Sequence, residues 1–460
     1  YQMIVICSYI DCYFIFSAQQ NAEEAEDKSV PLVPLIPLIP SHPKEVRSKK
    51  AEIANTTPAT LPASASPIRP NGDSSDEGQH DGCASLGQRP ESREAIAAAI
   101  QKLGMQLLQN LETTPEQPNV IISPFSISLA LSQLTEELLM HHLHEKTLPC
   151  YHESLHSVLE QLRNNDLQIA TRIFLRQGFE PKQDFVNESQ QLYDSEPAVL
   201  ESLQQINDWV EKATEGKMTD FLSALPPNLL LMLINAVHFK GEWKARFDPR
   251  FTSRGVFYLD EDQMVDVEVM EDAKHPLRFY DDNELEAQVA SFPFQKSMSL
   301  LVVMPSSGQV NVSSLSAKLN ISDLYDRLPK ERAVQVKVPK FKLEYAQELQ
   351  DVFIKLGLGD MFSHPNLAKM ADGPLLVSSV IHKSSMEVNE EGAEAAAATA
   401  VVISRASNPV FHLIQPFFFV LVDDTTQVPI FMGVITNPNP GAPGQITCPA
   451  VPWKLRPRPL

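Results

Sequence analysis

The residues with the clearest chemical potential lie in one stretch, NEEGAEAAAATAVVISRASN, which occupies residues 389–408. It begins with acidic residues around one glycine, continues with small residues and ends near an isolated cation, Arg405. An arginine side chain suits a protease whose specificity pocket has an aspartate at its base. Apolar, strand-like runs lie on both sides, at 377–388 and 410–422. A segment of this kind between two core strands is therefore interpreted as bait for a protease.

The conformation of this stretch is not fixed by its residue types. Alternation along a strand would bury one set of small or β-branched side chains and leave the other partly exposed. The alanines, however, favour a helix over a strand by intrinsic propensity. The segment is therefore compatible with an exposed loop or helix in one state and a buried strand in another. An alanine-rich helical turn or a simple linker is the alternative interpretation.

The sequence contains no recognisable enzyme motif. A nucleophile elbow, a zinc-binding H-E-x-x-H motif, a phosphate-binding loop and a C-x-x-C pair are all absent. Histidines crowd residues 141–156, but their spacing matches no standard set of metal ligands, so surface histidines are predicted. We therefore expect no catalytic residue, no metal and no cofactor.

Composition limits the partners. The 460 residues contain 38 basic and 58 acidic side chains, which gives a formal charge of −20. Binding to nucleic acid requires clustered Lys and Arg to contact phosphates, so a nucleic-acid partner is not expected. The apolar amino terminus is shorter than a membrane span, and no other uncharged run is long enough, so no membrane partner is expected either. Strands and helices that do not alternate strictly indicate the α+β class.

Five sequence blocks resemble those of the serpin family. The resemblance covers roughly residues 91–440, and the blocks are specific in combination. The first is the glycine, acidic residue and alanine run described above. The others are SPFSI at 123–127, NAVHFKGEW at 235–243, QPF at 415–417 with FMG at 431–433, and NP at 437–438.

The resemblance implies a serpin fold, with a large central β-sheet, further sheets, about nine helices and an exposed reactive loop. It also implies a suicide inhibitor that traps a trypsin-like serine protease, such as plasmin or trypsin, and acts as a monomer. The scissile bond would be Arg405–Ala406. Because many members place this residue one position later, Ala406 is the alternative bait, which would favour elastase-like targets. The hinge residues implied by the family are Glu390, Glu391, Gly392, Ala393, Glu394, Ala395, Ala396, Ala397 and Ala398.

A non-inhibitory serpin, acting as a carrier or signalling ligand, is the alternative function. Such members tend to have bulky, charged or proline residues where this chain has its alanines, so the inhibitor is favoured. The family also implies a polar cluster of Ser126, Asn235 and His382 beneath the strands that must open. Trp243 matches the tryptophan where the loop first enters the sheet. Ordinary buried polar residues and a core aromatic are the simpler interpretations of these four positions.

The remaining segments indicate secretion. We expect a signal segment at 1–18, a disordered Pro/Ser-rich arm at 19–90, the serpin domain at 91–440 and a short carboxy-terminal tail at 441–460. The signal lacks a basic region and Asp11 interrupts it, so an irregular amino terminus is the alternative. In a secreted protein the glycosylation sequons would be Asn55, Asn187, Asn311 and Asn320. Removing the signal leaves three cysteines, hence at most one disulfide, which the family resemblance assigns to Cys83 and Cys150. Three free thiols are the alternative.

Overall fold

The computed structural model describes residues 3–7, 12–16, 89–134, 150–163, 167–307, 312–392 and 408–446. The chain divides into two units, Tyr1–Ser75 and Asp76–Leu460. In the first unit, strands β1 (Met3–Cys7) and β2 (Cys12–Phe16) form an antiparallel hairpin. The signal segment and the disordered arm stay predictions.

Helices of the second unit begin where local sequence favours them. Ser123 caps the second helix as its sequence suggests, because its Oγ accepts a hydrogen bond from Ser126 N at 3.3 Å and Pro124 follows in the first turn. The described residues contain nine α-helices: α1 (Pro90–Asn110), α2 (Pro124–Ser132), α3 (Tyr151–Leu162), α4 (Gln183–Tyr193), α5 (Leu203–Ala213), α6 (Val312–Ser316), α7 (Ile321–Asp326), α8 (Gln350–Lys355) and α9 (Asp360–Ser363).

A five-stranded sheet positions most of the candidate site residues. Its strand order is β12-β13-β6-β4-β5. Its members are β4 (Leu167–Leu175), β5 (Ala198–Val199), β6 (Leu231–Lys240), β12 (Phe341–Glu348) and β13 (Val377–Val388). The long apolar run at 229–240 is its central strand, and every residue of β6 except Lys240 is buried. β6 pairs antiparallel with β4 but parallel with β13, in continuous register from Ser379 opposite Met232 to Glu387 opposite Lys240.

The second sheet has ten described strands and includes those that follow residue 408. Its main path is β14-β11-β8-β9-β10-β15-β16-β3, and β7 and β17 also pair with β8. The bounds are β3 (Val120–Ile122), β7 (Thr252–Tyr258), β8 (Gln263–Asp282), β9 (Ala287–Pro293), β10 (Met298–Pro305), β11 (Arg332–Pro339), β14 (Val410–His412), β15 (Phe417–Asp423), β16 (Pro429–Ile435) and β17 (Gln445–Ile446).

The apolar run at 410–422 is divided between two distant positions of this sheet. β14 lies at one end of the path, and among the described strands its one partner is β11, to which it is parallel. β15 lies between β10 and β16, and all its residues are buried. The division falls at Pro416, which has no amide hydrogen for a strand ladder. Mixed sheets packed with non-alternating helices confirm the predicted α+β class. Among the described residues, no helix is long and apolar enough to cross a membrane.

The tight packing around Gly433 in this core leads to a testable prediction. A Cβ at Gly433 would lie 1.9 Å from Val120 O, across the β16–β3 pairing. Gly433→Ala is therefore expected to lower the free energy of unfolding by about 3 kcal/mol through overpacking. Gly441→Ala is the matched control, because a Cβ there meets no atom within 4 Å. Urea unfolding curves measure both, and equal midpoints for the two variants would contradict the prediction.

Candidate functional site

The chain that leaves β13 is docked against the segment that follows β6. The Trp243 amide donates to Glu391 O at 3.0 Å and the Phe247 amide donates to Glu390 O at 3.2 Å. The indole Nε1 of Trp243 adds a hydrogen bond to Asn389 O at 2.6 Å. Three hydrogen bonds therefore fix the backbone of residues 389–391 at the end of the five-stranded sheet.

The approach of Gly392 to Trp243 leaves no room for a side chain. The two residues form an isolated parallel bridge, and a Cβ on Gly392 would lie 2.4 Å from Trp243 O. Trp243 is itself 1 % exposed and stacks on Phe294 with ring centroids 4.2 Å apart. Trp243 is therefore a core aromatic and, at the same time, the surface on which the hinge lies.

Charges reinforce the docked hinge. Thr252 Oγ1 donates to Glu390 Oε1 at 2.7 Å, and Lys340 Nζ lies 3.2 Å from Glu390 Oε2. Burial alone would raise the pKa of the Glu390 carboxyl, but the hydrogen bonds from Thr252 and Lys340 outweigh it and hold the pKa below its usual range. Glu391 pairs with Lys240 at 2.8 Å, and this hydrogen bond raises the pKa of the lysine. Glu390 and Glu391, the acidic residues of the hinge that the structure describes, are therefore each held by an ion pair with a lysine.

The structure brings Ser126, Asn235 and His382 together. Asn235 Oδ1 accepts from Ser126 Oγ at 2.8 Å and from His382 Nδ1 at 2.6 Å. Asn235 Nδ2 donates to Ser126 O at 3.1 Å and to Thr171 Oγ1 at 2.8 Å. All four hydrogen-bonding positions of this buried amide are thereby filled. The cluster joins α2 to β4, β6 and β13 directly beneath the parallel β6–β13 pairing.

His382 is held in one neutral tautomer. Its Nδ1 donates to Asn235, and its Nε2 accepts from the Ser123 amide at 3.3 Å. The ring is fully buried, and this burial lowers the pKa of His382 to about 3. The family blocks include Ser123 without a role in this cluster, and they do not include Thr171. Thr171 lies opposite Asn235 in the β4–β6 register, which no local pattern in the sequence specifies.

Other predicted site residues are only partly described. Arg405, Ala406 and the hinge residues 393–398 lie outside the described residues, as do Asn55, Asn311 and Cys83. Cys150 is disulfide-bonded, and the side chains of the other cysteines lie outside the described part, so the Cys83–Cys150 pair stays a prediction. Asn187 and Asn320 are exposed, and Asn320 also caps α7.

Two of the clustered histidines fall within the described residues. His152 contacts the Tyr193 hydroxyl, and His156 Nδ1 lies 3.0 Å from Leu192 O. Both are half-buried. Over the part of the chain that the structure describes, no group of three or more potential metal ligands occurs.

The buried histidine predicts a pH dependence of stability. The pKa of His382 falls from about 6.5 in the unfolded chain to about 3, so between these values the unfolded chain binds more protons. Stability should therefore decrease as the pH falls from 6.5, by about 1.4 kcal/mol per pH unit from this group. His238 and His412, whose pKa values burial lowers to about 4, add to the same dependence.

His382→Gln is expected to remove the contribution of His382 to this change of stability with pH. Glutamine can also donate and accept hydrogen bonds, but it does not titrate. Urea unfolding at pH 5.0, 5.75 and 6.5 measures this contribution. Ser384→Ala is the control, since Ser384 is buried on the same strand and donates to Ile121 O at 2.6 Å. It should lower stability equally at every pH. An unchanged slope in His382→Gln would show that His382 does not titrate as expected.

The ion pair of the hinge predicts the result of a charge swap. The side chains of Glu390 and Lys340 are 14 % and 36 % exposed, so Glu390→Lys should cost about 1–3 kcal/mol through repulsion and lost hydrogen bonds. Adding Lys340→Glu should recover part of that loss. Lys182→Glu, which breaks an exposed pair with Asp372, should cost less than about 1 kcal/mol. Thermal unfolding of the single and double variants tests this, and purely additive effects would exclude a direct interaction.

Comparisons with known proteins agree with this fold. The family model for serpin (serine protease inhibitor) matches residues 98–438. Alpha-2-antiplasmin of Bos taurus is 39 % identical over 78 % of this chain and 75 % of its own length. Pigment epithelium-derived factor of Homo sapiens is 31 % identical over 75 % of this chain and 87 % of its own. The crystal structure of human thyroxine-binding globulin with its hormone aligns with a TM-score of 0.66 at 24 % identity, over 76 % of this chain and 98 % of that one. The chain is a member of the serpin family.

Proposed function

We propose that the protein is a secreted suicide inhibitor of trypsin-like serine proteases, with plasmin as its target, and that it acts as a monomer without a cofactor. The observation that carries this proposal is the parallel pairing of β6 and β13, combined with the docked hinge that leaves β13. A segment rich in small residues follows that hinge and contains one arginine, Arg405.

The direction of the strands explains how the loop would enter the sheet. A strand that turned back after β13 would run antiparallel to β13 and, because β6 is parallel to β13, antiparallel to β6 as well. Its insertion would replace one parallel pairing by two antiparallel ones, which are slightly more stable per residue. Only small side chains could enter first without forcing the sheet far apart, and residues 393–398 include five alanines.

The energies favour insertion over the closed sheet. Roughly ten inserted residues, each gaining a net hydrogen bond of about 1 kcal/mol, give a drive of order 10 kcal/mol. Separating β6 from β13 would break the hydrogen bond between His382 Nδ1 and Asn235 Oδ1. Opening the sheet also breaks the β6–β13 ladder, which the two new ladders replace. The additional loss of the His382–Asn235 bond is on the order of 1 kcal/mol, or a few if a buried group stays unpaired, and is smaller than the drive.

The proposed reaction begins as ordinary proteolysis. The serine of the protease attacks the Arg405 carbonyl, the amide bond to Ala406 breaks, the new amine takes a proton, and an acyl-enzyme forms. The chain after the break is anchored, because Asn408 Nδ2 donates to Ala273 O at 3.0 Å and the Gln335 amide donates to Pro409 O at 2.8 Å. The chain before the break would insert as a strand and carry the acylated protease with it.

Two further observations support plasmin as the target. The bovine and murine relatives named alpha-2-antiplasmin are both 39 % identical to this chain. The formal charge of −20 also suits a basic partner. Regulation of fibrinolysis is the role that this target would imply. Secretion is supported by the exposed sequon residues Asn187 and Asn320.

Trapping should depend on Arg405. Incubation with plasmin or trypsin is expected to give a complex that survives SDS, with cleavage at Arg405–Ala406 by mass spectrometry. Arg405→Ala should reduce the association rate at least 100-fold, because the specificity pocket loses its buried ion pair. Arg250→Ala, at an exposed arginine near the hinge, is the control and should inhibit normally. Loop cleavage at any other bond would overturn the assignment, and an Ala406 bait would shift activity toward elastase.

Insertion itself is tested at the first small residue. Ala393→Arg would place an unpaired charge at a buried position, so the variant should be cleaved as a substrate without forming the stable complex. Glu394→Arg is the matched control, because strand alternation places it on the opposite, partly exposed face. An undiminished yield of covalent complex with Ala393→Arg would refute the trap.

The alternative is a non-inhibitory serpin that carries a ligand or signals. This alternative is considered because two of the similar proteins, the relative named pigment epithelium-derived factor and the structure solved with thyroxine, are not named as protease inhibitors. The alanine-rich hinge favours the inhibitor, because bulky or charged residues there would block insertion. Complete resistance to proteases of trypsin and elastase specificity, with no complex, would instead support the alternative.

A further inference from the structure

A cavity of about 770 Å³ is lined by residues of both edge strands β7 and β14 of the ten-stranded sheet, and by no residue of the hinge or of the buried cluster. Among the described strands, β7 pairs only with β8 and β14 pairs only with β11. A backbone hydrogen bond from Tyr258 N to Ile414 O, at 2.8 Å, connects the end of β7 to the segment after β14. The volume is within the range of small-molecule sites, which is about 300–1,000 Å³.

Part of the cavity wall is apolar. Phe279 and Met304 line it and are 3 % and 6 % exposed, so their side chains are fixed by the core behind them. Val410 and Ile414 contribute half-buried aliphatic surface from the other side. These residues offer a rigid contact surface for an aromatic or aliphatic body.

In this cavity the acidic side chains already have partners, whereas N–H groups of the basic side chains remain available to a ligand. The two acidic residues are Glu271, which pairs with Lys337 at 3.1 Å, and Asp281, which accepts from Gln288 at 2.9 Å. Arg254 is exposed and has no side-chain partner among the described residues. Lys337 is only 33 % exposed and has further N–H donors beyond the one facing Glu271. The four charged side chains of the lining sum to zero, but the Arg254 guanidinium is paired with no carboxylate among the described residues, so an anionic group of a ligand can bind there.

His412 supplies a second, independent observation. It lines the cavity, is 8 % exposed, and its Nε2 has no hydrogen-bond partner within the described part of the chain. Burial, with a smaller effect from the charge of Lys337, lowers the pKa of His412 to about 4, so the ring is neutral at pH 7. An unpaired polar atom at such a position costs free energy that a ligand group can recover. The ring can donate to an anion without carrying a charge of its own.

We propose that this cavity binds a small amphipathic anion: an aromatic or aliphatic body with a single carboxylate or sulfonate group. Arg254 and Lys337 bind the charged group, His412 donates to it, and Phe279, Met304 and Ile414 contact the body. Because the ligand contacts both β7 and β14, it strengthens the attachment of β14 to the sheet. The proposal does not depend on the protease or on insertion of the loop.

The test is a titration of the full chain with 8-anilinonaphthalene-1-sulfonate, an aromatic sulfonate that fluoresces in apolar surroundings. We expect saturable binding to one site. Arg254→Met should weaken it about tenfold, since a charge-assisted hydrogen bond is lost. Lys274→Met is the matched control, because Lys274 is an exposed cation on β8 that does not line the cavity, and it should change the affinity less than twofold. Equal affinities for Arg254→Met and Lys274→Met would overturn the proposal.

Two further measurements locate the site and its selectivity. 1-Naphthoate should displace the probe, whereas the uncharged 1-naphthalenemethanol should not, and equal displacement by both would refute recognition of the anion. Met304→Trp should fill the cavity and abolish binding. Hydrogen exchange at residues 410–414 should slow at least threefold in the presence of 1-naphthoate. Unchanged exchange there, with slowing elsewhere, would place the ligand outside this cavity and refute the assignment.

Discussion

The parallel pairing of β6 and β13 is the constraint on which the rest of the structure depends. β6 is buried except at Lys240, most residues of β13 are buried, and the Asn235 amide bonds to Ser126, Thr171 and His382. Such a cluster fixes three strands on one helix because each of its polar atoms would be costly if left unpaired. The junction is therefore stable as a closed sheet, although its strand directions suit a further strand between them.

The contacts of the hinge with Trp243 also connect β6 to β13, beyond the ends of the two paired strands. Trp243 follows β6 and receives the chain that leaves β13, so the two strands of the junction are also joined at their ends. The ion pairs of Glu390 with Lys340 and of Glu391 with Lys240 lie around this point. Any movement of the loop into the sheet must first release these contacts, which are few and partly exposed. A barrier of a few local contacts is compatible with the proposed inhibitor, whose loop would insert only after cleavage.

The strands on the two sides of residues 393–407 belong to different sheets. The strand before these residues is β13 of the five-stranded sheet, and the strand after them is β14 of the ten-stranded one. β14 is a short edge strand with one partner, so its attachment is the weaker of the two. The cavity beside β14 lies where a bound molecule can add contacts to that attachment without touching the hinge.

The sequence by itself determined the elements and much of the site. The apolar runs at 377–388 and 410–422 predicted β13 and the buried β15, and the family resemblance pointed to Ser126, Asn235, His382 and Trp243. Their predicted proximity rested on family resemblance, since nothing local in the sequence brings residues more than 100 positions apart together. Only the tertiary structure decided the partners that depend on register, such as Thr171 opposite Asn235 and the steric need for Gly392 against Trp243. Strand register and the packing between sheets are set by contacts distant in sequence, which local propensity does not encode.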